Sequence, residues 1–236
     1  VWQWATMPDA SAGLVFLEAM TSDMIGNTYV AGLVWGTVSF GGYNVATANG
    51  GGDGFVAKLD PQGNWMWANI FSTDPNSNGS SWMRGLDIDA GTGNVIVSGS
   101  QSGATMFDNI LLNNTDSEYV LANLDGFSGA VNWAESAGGF GTDIAYDVGI
   151  DMNGNIWQVG VTAGTFSAGG KSHQAVSQQD TVLVKWSTST TGAQVTNVKG
   201  LASNSGALSI PDDLAVTDSG DAVVVLSLIH ISEPTR

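Results

Sequence analysis

The stretch Asp151-Met-Asn153-Gly154-Asn155-Ile-Trp-Gln-Val-Gly160 decides the fold, because altered copies of it occur in three other places. The copies read Asp23-Met-Ile-Gly26-Asn27-Thr-Tyr-Val-Ala-Gly32, Asp89-Ala-Gly-Thr-Gly93-Asn94-Val-Ile-Val-Ser-Gly99 and Asp218-Ser-Gly220-Asp221-Ala-Val-Val-Val225. The glycines at 26, 93, 154 and 220 are 67, 61 and 66 residues apart. Self-similarity at such a period marks an array of one supersecondary unit. Within each copy, Asn and Gly tolerate positive φ, so the Gly-Asn step between apolar runs favours a tight hairpin.

Other parts of the repeat lie to either side. Upstream, Ile144, Tyr146, Val148 and Ile150 alternate with other residues, which is strand periodicity, and Arg84-Gly-Leu-Asp87-Ile-Asp89 is the counterpart. Downstream comes a Gly-x-x-x-Gly pair (Gly32 and Gly36, Gly99 and Gly103, Gly160 and Gly164), followed by Phe40, Phe107 or Phe166. A polar, Gly-rich loop of variable length then leads to a third strand. It reads Asp53-Gly-Phe-Val-Ala-Lys58-Leu-Asp60, Glu118-Tyr-Val-Leu-Ala-Asn123-Leu-Asp125 or Asp180-Thr-Val-Leu-Val-Lys185-Trp186. A glycine turn (Gly63, Gly129, Gly192) opens the fourth strand. Trp67 and Trp133 stand four residues on, with Thr196 in the third copy.

Four strands joined by hairpins need roughly 40 residues, and the rest of the period fits the middle loop and the link between units. Four short antiparallel strands per repeat describe a propeller blade. The expected fold is therefore all-β: about three and a half four-stranded antiparallel blades forming an incomplete, open propeller. The blade windows are 5–67, 68–133 and 134–198, with a partial blade at 199–225.

Composition narrows the function. The chain of 236 residues is 43% hydrophobic with nine tryptophans, enough to bury a core rather than remain disordered. Acids outnumber bases 22 to 6, for a net charge of −16, so nucleic acid and anionic membrane surfaces are poor partners. Without cysteine there are no disulfides or thiolate metal sites. No apolar run approaches the ~18–20 residues of a membrane span. Val1-Trp2-Gln3-Trp4-Ala5 matches Trp65-Met-Trp67-Ala68, so the chain is expected to open inside a strand, with any signal peptide upstream. Residues 226–236 break the composition and resemble the in-frame translation of a sequencing-library adapter. The natural repeat is expected to stop near Val225, the remainder being an artefactual tail.

The repeat resembles the bacterial SBBP-type β-propeller repeat over residues 1–225. The resemblance rests on Asp-x-x-Gly-Asn followed by an apolar strand, then Asn49-Gly-Gly-Gly-Asp53-Gly-Phe-Val-Ala-Lys58-Leu-Asp60, then Trp. It departs at Glu118 and Asn123, where the pattern has Asp and Lys. The resemblance implies a large secreted or cell-surface protein with no assigned catalytic residues. It also implies that the remainder of a longer chain completes the propeller.

Each motif has a structural and a functional reading. Asp151-x-Asn153-x-Asn155 starts like a calcium loop, but its Gly is fourth rather than sixth and no Glu closes it. The better account is a turn in which Asp accepts hydrogen bonds and Asn takes the left-handed position. Calcium remains the single cofactor candidate. Asp23, Gly26, Asn27, Gly93, Asn94, Gly154 and Asn155 are then structural repeat positions. Lys58 and Lys185 are equivalent, and each is expected to meet an acid on the neighbouring blade and fix its register. Trp4, Trp67 and Trp133 recur and suit blade packing, whereas Trp35 and Trp82 are the candidates for ligand contact. His173 is the only histidine before residue 226, which leaves little basis for a Ser–His–Asp or His–metal site.

The expected role is a non-enzymatic repeat module, presenting loops for adhesion or for binding an extracellular glycan or protein. The alternatives are part of a propeller-borne polysaccharide hydrolase or lyase, and a purely structural spacer. A hydrolase would use paired carboxylates, of which the sequence offers many.

Overall fold

The computed structural model describes residues 4–47, 51–74, 76, 79–201 and 208–229. Among these, every regular element is a strand, and every ladder between strands is antiparallel. The strands fall into four successive groups. The first holds β1 (Asp9–Ser22), β2 (Thr28–Phe40), β3 (Tyr43–Ala46), β4 (Asp53–Leu59) and β5 (Trp65–Thr73). The second holds β6 (Ser80–Ile88), β7 (Val95–Phe107), β8 (Ile110–Leu124) and β9 (Val131–Ala137). The third holds β10 (Asp143–Ile150), β11 (Ile156–Thr162), β12 (Thr165–Ala168), β13 (Lys171–Gln174), β14 (Asp180–Ser189) and β15 (Gly192–Leu201). Last come β16 (Leu208–Val216) and β17 (Ala222–Ile229). The windows ending at 67, 133 and 198 thus cut through β5, β9 and β15.

Hydrogen bonds run β1-β2-β4-β5 in the first group, β6-β7-β8-β9 in the second and β10-β11-β14-β15 in the third. A short β5–β7 pairing, Ser72 with Met106 and Thr73 with Thr105, joins the first two groups into one sheet. The leading strands β1, β6, β10 and β16 lie against one another in that order, with no ladder between them.

Two cores sit between successive groups, and a third, around Val34, Phe40 and Phe55, lies within the first. Tyr29, Ala31, Val56 and Trp67 of the first group pack with Met83, Val95, Val97 and Val120 of the second. Ile96, Tyr119, Leu121 and Trp133 of the second pack with Ala145, Val148, Ile156 and Val182 of the third. Neighbouring residues of one strand thus enter different cores, as alternation across a strand dictates. Both faces of the middle strands are covered, and all seven residues of β4 are buried.

Three local readings are corrected. In each group the segment from the repeated Phe onward begins with a hairpin rather than an irregular loop, with Phe40 facing Tyr43, Phe107 facing Ile110 and Ala168 facing Lys171. Phe40, Phe107 and Phe166 are fully buried and anchor it. A bulge breaks the alternation around Tyr146, so Ala145 and Val148, three residues apart, face the core. Lys185 pairs with Asn197, as Lys58 pairs with Trp67 and Asn123 with Trp133, so Asn197 rather than Thr196 holds the tryptophan place, and Thr196 is the bulged residue.

Candidate functional site

The repeated turns close on themselves. At Asp151 the N–H groups of Asn153 and Asn155 and the Asn155 side-chain amide donate to the carboxylate at 2.8, 2.9 and 2.8 Å. At Asp23 the donors are Ile25, Asn27 and the Asn27 amide, with the Tyr29 hydroxyl at 3.3 Å. Burial alone would raise both carboxyls. The donors outweigh it and hold both below the usual carboxylate range, with Lys185 also favouring ionised Asp151. Gly26, Gly93, Gly154 and Gly220 have φ of 89°, 75°, 76° and 87°, which side-chain-bearing residues rarely adopt. In the Asp89 copy the turn is one residue longer, and the Gly91 N–H and the Thr92 hydroxyl supply the donors. In the last copy Thr217, not Asp218, holds the Asp place and accepts from the Asp221 N–H at 3.0 Å. The same loop recurs at Asp60-Pro-Gln-Gly63-Asn64, between β4 and β5. The carboxylate of Asp151 therefore faces N–H donors, with Asn155 turned inward as one of them. Among the described residues no group of three or more His, Cys, Asp or Glu could hold a metal ion.

Lys58 is buried, and its ammonium donates to the Gly126 carbonyl at 2.6 Å, in the β8–β9 turn of the next group. It also lies 4.9 Å from the Tyr29 ring centroid. The lysine does reach the neighbouring unit, but it meets a carbonyl rather than an acid within ion-pair distance. The acid of that turn, Asp125, acts on it electrostatically, as does Asp23, while burial lowers the Lys58 pKa. Lys185 stands 4.7 Å from the Trp157 ring centroid. Asn123 occupies the same register in the second group, opposite Ile96.

The tryptophans divide. Trp67 and Trp133 are buried, and Trp67 packs on the Gly129 turn as Trp4 packs on the Gly63 turn. Trp35 is 37% exposed and meets Phe16 edge to face. Trp82 lies under the Arg84 guanidinium at 4.1 Å. The two ligand candidates thus have different ring neighbours and do not form one platform. His173 lies on β13, its Nε2 2.9 Å from Asp180 Oδ2. The Ser177 hydroxyl donates to the same Asp180. Both side chains converge on the acid, so no Ser–His step of a triad forms.

A second constellation was not read from the sequence. The register slips at Glu18, Arg84, Tyr146 and Asp212, one bulge at a matching level of each leading strand, and β1 has a second irregularity between Asp9 and Ala12. A bulge leaves one residue unpaired and re-aims its side chain. At each of the first three bulges a glycine on the next strand makes room. A Cβ on Gly32, Gly99 or Gly160 would stand 1.8, 2.2 or 2.2 Å from the carbonyl oxygen of Phe16, Trp82 or Ile144. The four bulged side chains border one cleft of about 350 Å³, together with Asp147 and Asp213. Burial, opposed by N–H donors and reinforced by Asp213, raises Asp147 to about 6. Its Oδ2 accepts the Leu214 N–H at 3.0 Å, as Asp87 accepts that of Ile150 at 2.9 Å, which ties the leading strands together. Burial lowers the pKa of Arg84, whose guanidinium also faces the Tyr146 ring at 5.6 Å. Aligning the repeats on the turn glycines, with the longer Asp89 loop allowed for, would have matched Arg84 to Tyr146.

No protein-family model matches the chain, and no curated protein matches it. Among the described residues no helix is long and apolar enough to cross a membrane.

Proposed function

We propose that the chain is an arc of about three and a half β-propeller blades of the SBBP type, completed by the rest of its own longer chain. It serves as a non-enzymatic binding module of a secreted or cell-surface bacterial protein, in adhesion or in capture of an extracellular glycan or protein. The period, the sheets stacked on both faces and the leading strands ranged side by side support the propeller reading. One observation carries the binding reading: four bulges place Glu18, Arg84, Tyr146 and Asp212 around a single cleft. One backbone position bearing four chemistries suits a recognition surface better than a packing role.

The test is binding to an immobilised panel of extracellular polysaccharides and matrix proteins, with Arg84→Ala/Tyr146→Ala as the paired variant. Retention that the paired variant loses supports the reading. No retention anywhere on the panel removes it and leaves the structural spacer.

Asp147 favours a second reading, a polysaccharide hydrolase. A carboxyl that holds its proton to about pH 6 beside a second acid can protonate a leaving group. Release of reducing ends by the wild type, abolished in Asp147→Asn, would replace the binding module by the enzyme.

A further inference from the structure

The two inter-group seams on the turn-bearing rim differ. At the first, Lys58 spans the gap to the Gly126 carbonyl, and Trp67 packs on the Gly129 turn beside it. At the second, Asn123 stands at the lysine register, and Ile96 replaces the aromatic that accompanies Lys58 (Tyr29) and Lys185 (Trp157). The turn opposite is also shortened, to Ser189-Thr-Thr-Gly192. A polar cleft of about 350 Å³ opens there, bordered by Asp89, Asn94, Asn123, Asp125, Thr188 and Ser189.

We propose that this cleft binds a primary alkylammonium group, supplied by a lysine side chain of a polypeptide partner. The first seam shows what the position accepts, since a buried ammonium occupies it there. The second seam offers corresponding groups. Asp89 is the counterpart of Asp23, and Thr188 is the counterpart of Gly126, whose carbonyl receives Lys58. Asn123 does not fill the gap itself. Its Oδ1 is held by the Asn94 and Asn132 amides at 3.2 and 2.7 Å, which fold the short side chain back onto its own group. Apart from the Trp133 ring the cleft is bordered by carboxylates, amides and hydroxyls with no basic residue, so a cationic donor finds acceptors and no rival charge. A net charge of −16 draws cations toward it.

A polypeptide source is argued from the turn tips on the same rim. Phe127, two residues from Asp125, is 85% exposed, and Met24 and Ile25 in the β1–β2 turn and Met152 in the β10–β11 turn are exposed as well. Apolar tips beside an acidic notch suit a chain that carries lysine among apolar side chains better than a hydrated sugar. The inference concerns a different cleft from the bulge-lined one and does not depend on the role assigned there.

Calorimetric titration of the whole chain with n-butylammonium and with the N-acetylated, C-amidated peptide Gly-Lys-Gly tests it, with the equally blocked Gly-norleucine-Gly and glucosamine as controls. Expected are one equivalent of butylammonium and of the lysine peptide, no binding of the norleucine peptide, and at least a tenfold loss in Asn123→Lys, which supplies its own ammonium. Asp89→Asn should also weaken binding about tenfold, and Lys58→Asn, where it folds, should add a second equivalent. Absence of binding by both ammonium probes, or binding unchanged in Asn123→Lys, overturns the site. Glucosamine binding in preference to the lysine peptide overturns the polypeptide partner.

Discussion

The rim and the cleft between the leading strands are built from the same repeat and treat it in opposite ways. At the turns, backbone and chemistry are both held: Asp or Thr accepts, Gly takes positive φ and an Asn or Asp follows. At the bulges only the backbone is held, and the side chain changes from Glu18 to Arg84, Tyr146 and Asp212. Positions that fix chemistry maintain the fold, while positions that fix only geometry are free to specialise. Asn123 shows the same release at the rim, where one copy abandons a lysine that two others keep.

Mutations can break this contrast. Gly160→Ala should have the largest effect, because its Cβ would meet the Ile144 carbonyl oxygen at 2.2 Å and the Tyr119 ring at 2.5 Å. A loss of about 3 kcal/mol or more in urea unfolding is expected. A loss under about 1 kcal/mol would mean that this glycine does not set the bulge geometry. Lys58→Ala should cost about 2–3 kcal/mol, since it leaves the Gly126 carbonyl without its charged donor. Lys185→Ala, with no neighbouring turn described against it, should cost clearly less in the same assay.

Asp151→Ala should cost about 1–2 kcal/mol through three lost hydrogen bonds to the carboxylate. Glu18→Gln at a bulge should stay within about 0.5 kcal/mol. Equal losses at the two positions would erase the division drawn above.

The smallest effect is a pH slope. Asp143 and Asp147 are raised to about 6 chiefly by burial, so between the unfolded value of 3.8 and about 6 the folded state binds more protons. Their contribution is full below the lower value and is lost as pH rises through about 6. Asp23, Asp60, Asp125 and Asp151 are lowered, so their contribution is lost as pH falls below the ordinary Asp range. Asp147→Asn should flatten the decline between pH 4 and about 6, measured by thermal melts, and leave the acid limb in place.

The sequence made the turns legible because their cause is local: an acceptor, a positive-φ glycine and a donor within five residues. An all-β chain of antiparallel strands followed from the same punctuation, while the additional strands β3, β12 and β13 did not. The bulges were hidden because one inserted residue shifts the period-2 pattern, as at Tyr146, and the extra residue in the Asp89 turn shifted it again. The Lys58 contact was half legible. Its equivalence with Lys185 pointed across a seam, but a carbonyl acceptor leaves no charge signature in a sequence. The Asp60 turn could have been found, since it repeats the Asp-x-x-Gly-Asn pattern.

The bulges also have a use in engineering. An unpaired residue at one level of every leading strand can be exchanged without moving any ladder hydrogen bond. Glu18, Arg84, Tyr146 and Asp212 therefore form four addressable sockets around one opening. A combinatorial library at those codons alone would sample new specificities on an unaltered frame.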